Sequence, residues 1–383
     1  MTMVEIDQRE FIFFAEGQEP SAEEKRWMVD PDNPACAYNR FIGNRKAINK
    51  LSRSAYDAMG KYNHACHDLN WAIIGPKSTG KTTLAKLHAK VLDLPFAEFS
   101  PRSVTSVQGL FDDMARCLIK AGVPLVDHPL KPKHFVIPPM IVFVDEVHAL
   151  RKNIVQGLLK AVERSDSQLV TENRMTADTR NVLWMIATTD RGLLFDAFDS
   201  RFSKVSLELY DKEEIAQIVS LNFPEWTEET CGLVSHYCGI IPRESLAFAH
   251  EMQLERNMTP NSWDIVAAKV AEDNGIDPYG LTYQRLHIIT SLAQNGPVSA
   301  NRMQYVANCK EEELKSFIMP YLMTEINDRP SLVTVTNKGY CVTEEGLKEL
   351  DKRGISHIGD AALPPKPKLS LKGTGTTGLT YVP

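Results

Sequence analysis

Residues 75–82 read Gly-Pro-Lys-Ser-Thr-Gly-Lys-Thr, the spacing G-x-x-x-x-G-K-[ST], between an apolar run Trp-Ala-Ile-Ile at 71–74 and a helical pattern from 82 to 92. A strand that turns through glycines straight into a helix leaves few folds open. The glycines let the backbone bend until its amide hydrogens face one point, and the helix N-terminus adds partial positive charge there. Such a loop holds phosphates. Gly75, Pro76, Lys77, Ser78, Thr79, Gly80, Lys81, Thr82 and Thr83 are therefore the expected nucleotide cradle. Lys81 would reach the β- and γ-phosphates and Thr82 a magnesium ion, so ATP with Mg2+ is the expected pair.

The remaining strands extend this picture. Phe-Ala-Glu-Phe at 96, Met-Ile-Val-Phe-Val at 140 and Val-Leu-Trp-Met-Ile-Ala at 182 are short and apolar on both faces, alternating with helical patterns. That predicts an α/β fold, a parallel sheet between helices, over residues 36–207. From 208 to 276 the strand signal gives way to helical periodicity, which predicts a small helical lid domain. Gly-Ile-Asp-Pro-Tyr-Gly at 275–280 then breaks the chain. Helices at about 281–294, 299–308 and 311–325, followed by a hairpin turning at Asn337-Lys338-Gly339, predict a winged helix over 280–352. Residues 1–35, an acidic extension with three prolines, are expected to pack loosely at best, and the Pro-, Gly-, Thr- and Lys-rich tail at 353–383, with few large apolar residues, is expected to be disordered or partner-bound. There are no internal repeats.

Several polar residues stand where this sheet would end. Ile-Val-Phe-Val-Asp-Glu at 141–146 closes a buried strand on two carboxylates, a costly placement unless a cation or water satisfies them. Asp145 fits Mg2+ coordination through water, and Glu146 fits polarisation of an attacking water. Thr188 and Thr189 end the strand that begins at 182, where a hydroxyl could orient that water. Arg201, a short loop later, is placed to reach a neighbouring subunit's γ-phosphate. Arg243 opens a helix, a position that disfavours cations and so implies a compensating anion.

Bulk properties exclude other classes. A chain of 383 residues with 43% apolar and 24% charged residues can bury several cores, and no uninterrupted apolar stretch is long enough to span a bilayer. The first residues carry acidic groups where a secretory signal has basic ones, so the cytoplasm is expected. Seven scattered cysteines suit reduced thiols rather than a disulfide framework. His64-Ala65-Cys66-His67 lacks a second ligand pair and reads as an ordinary helix face rather than a zinc site. The net charge of −6 argues against coating nucleic acid, so any DNA contact is local.

Taken in order, these segments resemble the AAA+ superfamily and, within it, the RuvB family of bacterial Holliday-junction branch-migration motors, from about residue 38 to 350. Residues 41–51 are similar to the family segment that precedes the phosphate loop, which implies that Phe41 and Ile42 help line an adenine pocket. Residues 144–150 resemble its Walker B run, 187–194 its sensor 1, 199–202 its arginine-finger loop and 241–246 its sensor 2. The resemblance implies that Lys81, Glu146, Thr189, Arg201 and Arg243 carry the reaction, with Thr189 as sensor, Arg201 acting in trans and Arg243 sensing nucleotide in cis. A finger in trans implies a homo-oligomeric ring, a hexamer. It also implies that the winged helix touches duplex or branched DNA, with Lys310, Lys315, Arg329 and Lys338 as candidate contacts beside the repelling Glu311-Glu312-Glu313.

The chain departs from the family at 167–180, which is shorter and more polar than the family's projecting, partner-docking hairpin, at Lys77 in the loop, and at both termini. The same site would serve an ATP-gated loader that recruits a protein adaptor. An inactive scaffold is disfavoured by the intact Lys81, Asp145, Glu146 and Arg201.

Overall fold

The computed structural model describes residues 26–355, apart from 27, 60–69, 124, 128–132, 164–166, 190–197, 199, 312–313, 315–317 and 324–329. The histidine pair at 64–67, most of the N-terminal extension and the tail beyond 355 lie outside the described residues. So do the candidate contacts Lys315 and Arg329. The chain divides into two compact units, 1–208 and 209–383.

In the first unit the strands run β1 (Trp71–Ile74), β2 (Phe96–Phe99), β3 (Val126–Asp127), β4 (His134–Val136), β5 (Met140–Val144), β6 (Gln168–Val170), β7 (Thr176–Asp178), β8 (Val182–Thr188) and β9 (Ser203–Ser206). Five of them form one sheet in the order β2-β5-β8-β1-β9, every neighbouring pair parallel. Side chains of alternate residues in a strand point to opposite faces, and here both sets are apolar. Ala72, Phe99, Val142, Trp184 and Ile186 face one core, together with helices α3 (Val107–Lys120) and α4 (Lys152–Ala161). Trp71, Ile73, Phe143, Met185 and Val205 face the other, with α1 (Arg45–Met59) and α2 (Lys81–Val91). The α/β sandwich expected from the strand pattern is present.

Two features depart from that expectation. β9 is a fifth strand built from Ser-Lys-Val-Ser, where only Val205 is buried; an edge strand needs one apolar face position and shows no run. The remaining strands form a second, four-stranded sheet in the order β3-β4-β7-β6, and the polar segment 167–180 supplies two of them. Its hairpin turn is tied to α3: the Glu172 carboxylate accepts from the amides of Val107 at 3.0 Å and Gln108 at 2.7 Å. A carboxylate at a helix N-terminus meets both its free amides and its dipole.

A buried pair lies under the first unit's second core. His88, on α2, is fully buried, its Nδ1 2.5 Å from the Tyr38 hydroxyl, while its Nε2 has no partner among the described residues. Burial pushes the imidazole down to about 4 from 6.5. Because the folded value is depressed, the unfolded chain binds a proton that the fold refuses between those limits. Stability is complete above pH 6.5 and falls as pH drops toward 4, by roughly 3 kcal/mol. His88→Gln is expected to flatten this part of the acid limb; parallel urea midpoints of the two proteins from pH 7 to 4.5 would contradict the assignment.

The second unit holds two cores. Helices α5 (Lys212–Asn222), α6 (Glu228–Cys238), α7 (Pro242–Met258) and α8 (Trp263–Asp273) enclose Ile215, Val234, Phe248 and Val266. Asp211 and Glu214 start α5 with a reciprocal capping box. The other core is built by α9 (Tyr283–Asn295), α10 (Ala300–Ala307), α11 (Met319–Met323), the antiparallel hairpin β10 (Val333–Thr336) and β11 (Gly339–Val342), and α12 (Glu344–Lys352). This is the expected winged-helix pattern with α12 added, a helix capped by the Thr343 side chain.

Ile240 and Ile241, just before α7, belong to this second core. Arg353, counted with the tail in the sequence, is buried in an ion pair with Asp277 and Glu349. Burial alone would raise the Asp277 carboxyl, but hydrogen bonds from Arg353 and from the Leu281 and Tyr279 amides outweigh it and hold it below its ordinary value. A buried carboxylate is tolerated only when paired in this way.

Candidate nucleotide site

The phosphate loop leaves β1 at the carboxyl edge of the sheet, the edge at which parallel α/β proteins place ligands. Its first residue is fixed from both sides. The Gly75 amide donates to the Thr188 carbonyl at 3.2 Å, and a Cβ on Gly75 would stand 2.7 Å from the Leu207 carbonyl oxygen, so only glycine fits. At the other end Gly80 takes φ +85° and hands the chain to α2 without any side-chain cap. No side chain of Gly80 competes for the N-terminal turn of α2, the end of a helix that an anion uses.

The loop's side chains agree with that use. Lys81 is only 7% exposed, and its ammonium donates to the carbonyls of Gly75 at 2.9 Å and Pro76 at 2.8 Å. Thr79 is fully buried, its hydroxyl on Pro76 O at 2.9 Å. Ser78, at φ +65°, holds a buried hydroxyl with no partner among the described residues. Unsatisfied buried hydroxyls are costly, and a phosphate oxygen would satisfy this one. Thr82 and Lys77 are half-buried. The residues present fit a polyphosphate.

β5 ends two strands away, separated from β1 by β8. Asp145 lies immediately beyond β5, its amide donating to Phe99 O, and its Oδ1 accepts from the Glu146 amide at 3.0 Å. Glu146 adopts the left-handed conformation, φ 46° and ψ 47°, which turns the chain sharply into a short 3-10 turn, Val147–Ala149. For a residue with a Cβ this conformation costs about 1–2 kcal/mol, a strain found most often at functional sites. His148, in that turn, places Nδ1 2.9 Å from the Thr188 hydroxyl and Nε2 3.5 Å from Glu146 Oε2. Among the described residues no group of three or more His, Cys, Asp or Glu stands ready to hold a metal ion. Mg2+ held largely by phosphate oxygens and water needs only one carboxylate and a hydroxyl, which Asp145 and Thr82 can supply.

The other expected residues are distributed as follows. Thr189 follows the end of β8 and is half-buried, while Thr188, one residue earlier, is fully buried and carries the contact toward Glu146. Phe41 is packed in the first unit's core and Ile42 beside it is half-buried, so Ile42 retains the surface that a base could meet. Arg201 is part-exposed, with an amino group 3.3 Å from the Glu163 carboxylate. In the second unit Arg243 is exposed in the first turn of α7, directly after Pro242. Lys310 and Lys338 are exposed on the winged helix, and Tyr340 is half-buried against its core. The one group that the sequence did not single out is His148; its signal was a histidine two residues after the Asp-Glu pair.

Residues 71–208 match the model of the ATPase family associated with various cellular activities (AAA). The chain is 25% identical over 330 residues to the Holliday junction branch migration complex subunit RuvB of Ehrlichia chaffeensis, covering 81% of this chain and 90% of that one. It is 26% identical over 290 residues to the subunit of the same name from Bdellovibrio bacteriovorus, covering 71% and 80%. Its fold matches the Thermotoga maritima RuvB Holliday junction branch migration motor with a TM-score of 0.61 at 22% identity, over 81% of this chain and 95% of that one. The sandwiched parallel sheet, the loop with its buried lysine and the strand-end carboxylates agree with these likenesses, and the nucleotide of such a domain is ATP with Mg2+. Residues 71–208 are thus an AAA ATPase domain, an ATP hydrolase, in a chain that is similar to RuvB subunits over most of its length.

Proposed function

We propose that this ATPase works as a ring, a hexamer, that couples hydrolysis to movement on duplex or branched DNA. The observation that carries the reading is the extent of the likeness: it spans 330 residues, 81% of this chain and 90% of a protein named as a branch migration complex subunit, far more than the nucleotide domain alone.

In the reaction, Lys81 leaves its loop carbonyls for the β- and γ-phosphates, and the loop amides with Ser78 take the remaining oxygens. Thr82 and Asp145 would hold Mg2+, which would supply charge neutralisation at the phosphates. Glu146 accepts the proton of the water that attacks the γ-phosphorus as the bond to the β–γ bridging oxygen breaks, yielding ADP and phosphate. Thr189 orients that water, and Arg201 of one subunit meets the γ-phosphate bound by the next. Arg243 reads the nucleotide, a role that rests on the resemblance alone. Lys310 and Lys338, with Lys315 and Arg329, are the proposed DNA contacts.

ATP turnover measured alone and with linear duplex, forked or four-way DNA tests the reading. DNA is expected to raise turnover at least about 5-fold, the lower end of coupling between sites, and four-way junctions are expected to resolve into exchanged duplexes. Turnover indifferent to every DNA but raised by a protein adaptor would replace the motor with a loader.

A further inference from the structure

We infer that His148 is a positioning residue for ATP hydrolysis, which joins the buried hydroxyl of Thr188 to the carboxylate of Glu146 and so holds the base in register with the phosphate loop. The inference rests on Glu146 being the base.

Three contacts make a continuous path. The main chain of Thr188 is the residue to which the loop is anchored: Thr188 pairs with Ile74 across the sheet, and its carbonyl accepts the Gly75 amide at 3.2 Å. The side chain of the same residue turns the other way and meets His148 Nδ1 at 2.9 Å. The far nitrogen of that ring stands 3.5 Å from Glu146 Oε2. One fully buried residue therefore touches the loop through its backbone and, through one imidazole, the base.

Hydrogen-bond polarity gives the path a direction. At 3.5 Å the approach of Nε2 to the carboxylate is an electrostatic contact, and because a carboxylate only accepts, it favours the tautomer with the hydrogen on Nε2. In the neutral ring Nδ1 is then an acceptor, and the Thr188 hydroxyl donates to it. The carboxylate thus sets the ring tautomer, and the hydroxyl, held by a rigid central strand, adapts to it and fixes which edge of the ring faces the base. Glu146 needs such a hold: its backbone is in a strained left-handed conformation at the start of a three-residue 3-10 turn, where local structure alone leaves the side chain loosely directed. A base that is misplaced by about 1 Å loses on the order of 100-fold in rate.

The path predicts a separation between chemistry and binding. His148→Ala is expected to lower kcat on the order of 10- to 100-fold while KM for ATP and the affinity for a fluorescent ATP analogue stay as in the parent. Thr188→Val, which keeps the buried volume and removes the hydroxyl, should reproduce that loss; Thr188→Ser and His148→Gln should recover part of it. In the Glu146→Gln background, His148→Ala should have no further effect on residual turnover, because a residue acting through Glu146 has nothing left to position. An unchanged kcat in His148→Ala, a loss appearing in KM instead, or the same fold-loss repeated in the Glu146→Gln background overturns the inference. Full turnover in Glu146→Gln alone removes the base assignment, a distinct result read from a different protein.

Discussion

Glu146→Gln is expected to reduce ATP turnover by about 100- to 10,000-fold, the range for loss of a general base, with nucleotide binding and assembly intact. The amide has the volume of the carboxylate but cannot take a proton, and the site around it depends little on the charge. Lys81 is held by backbone carbonyls, Ser78 and Thr79 lie in the loop, and the Asp145 contact is with the Glu146 main chain. A single-turnover assay with labelled ATP, paired with an equilibrium binding measurement, separates the two quantities. Turnover near that of the parent would remove Glu146 from the reaction, and loss of binding would make it part of the cradle instead.

Arg201→Ala is expected to cost about 1,000-fold or more in kcat, the size of an arginine finger's contribution, and the loss should be repairable in a way no other site variant allows. The Arg201–Glu163 pair is part-exposed on both sides, so removing it contributes little to stability. In the proposed ring Lys81→Ala would disable the same reaction from the other side of the interface. Each variant alone would leave every site defective. Mixed one to one, roughly a quarter of interfaces in a closed ring join an intact Lys81 to an intact Arg201. Turnover recovered on mixing supports shared sites; a mixture no better than either variant means that Arg201 acts within its own subunit.

How far the sequence reaches is visible residue by residue. β5 and β8 declare themselves because every position is buried, so both faces are written in apolar residues. β9, with one buried residue in four, and β3, β4, β6 and β7, two or three residues each, are too short for any period to appear. The helical lid and winged-helix hairpin were legible from periodicity and a turn. That Ile240 and Ile241 would join the winged-helix core, and that Arg353 would close on Asp277, was not, since those contacts span long stretches of chain.

The sequence by itself determined the phosphate loop, because glycine spacing, a lysine and a helix start act within eight neighbouring residues and need no distant partner. It likewise determined the strand-end carboxylates and the order in which Thr189, Arg201 and Arg243 follow them. Only the tertiary structure decided which threonine meets His148. Thr188 and Thr189 are equivalent in a linear reading, but adjacent residues of a strand point to opposite sides, and the sheet turned the Thr188 side chain onto His148, 40 positions away. A hydrogen bond of that span depends on the parallel register of β5 and β8, a pairing between distant stretches of chain that no local pattern encodes.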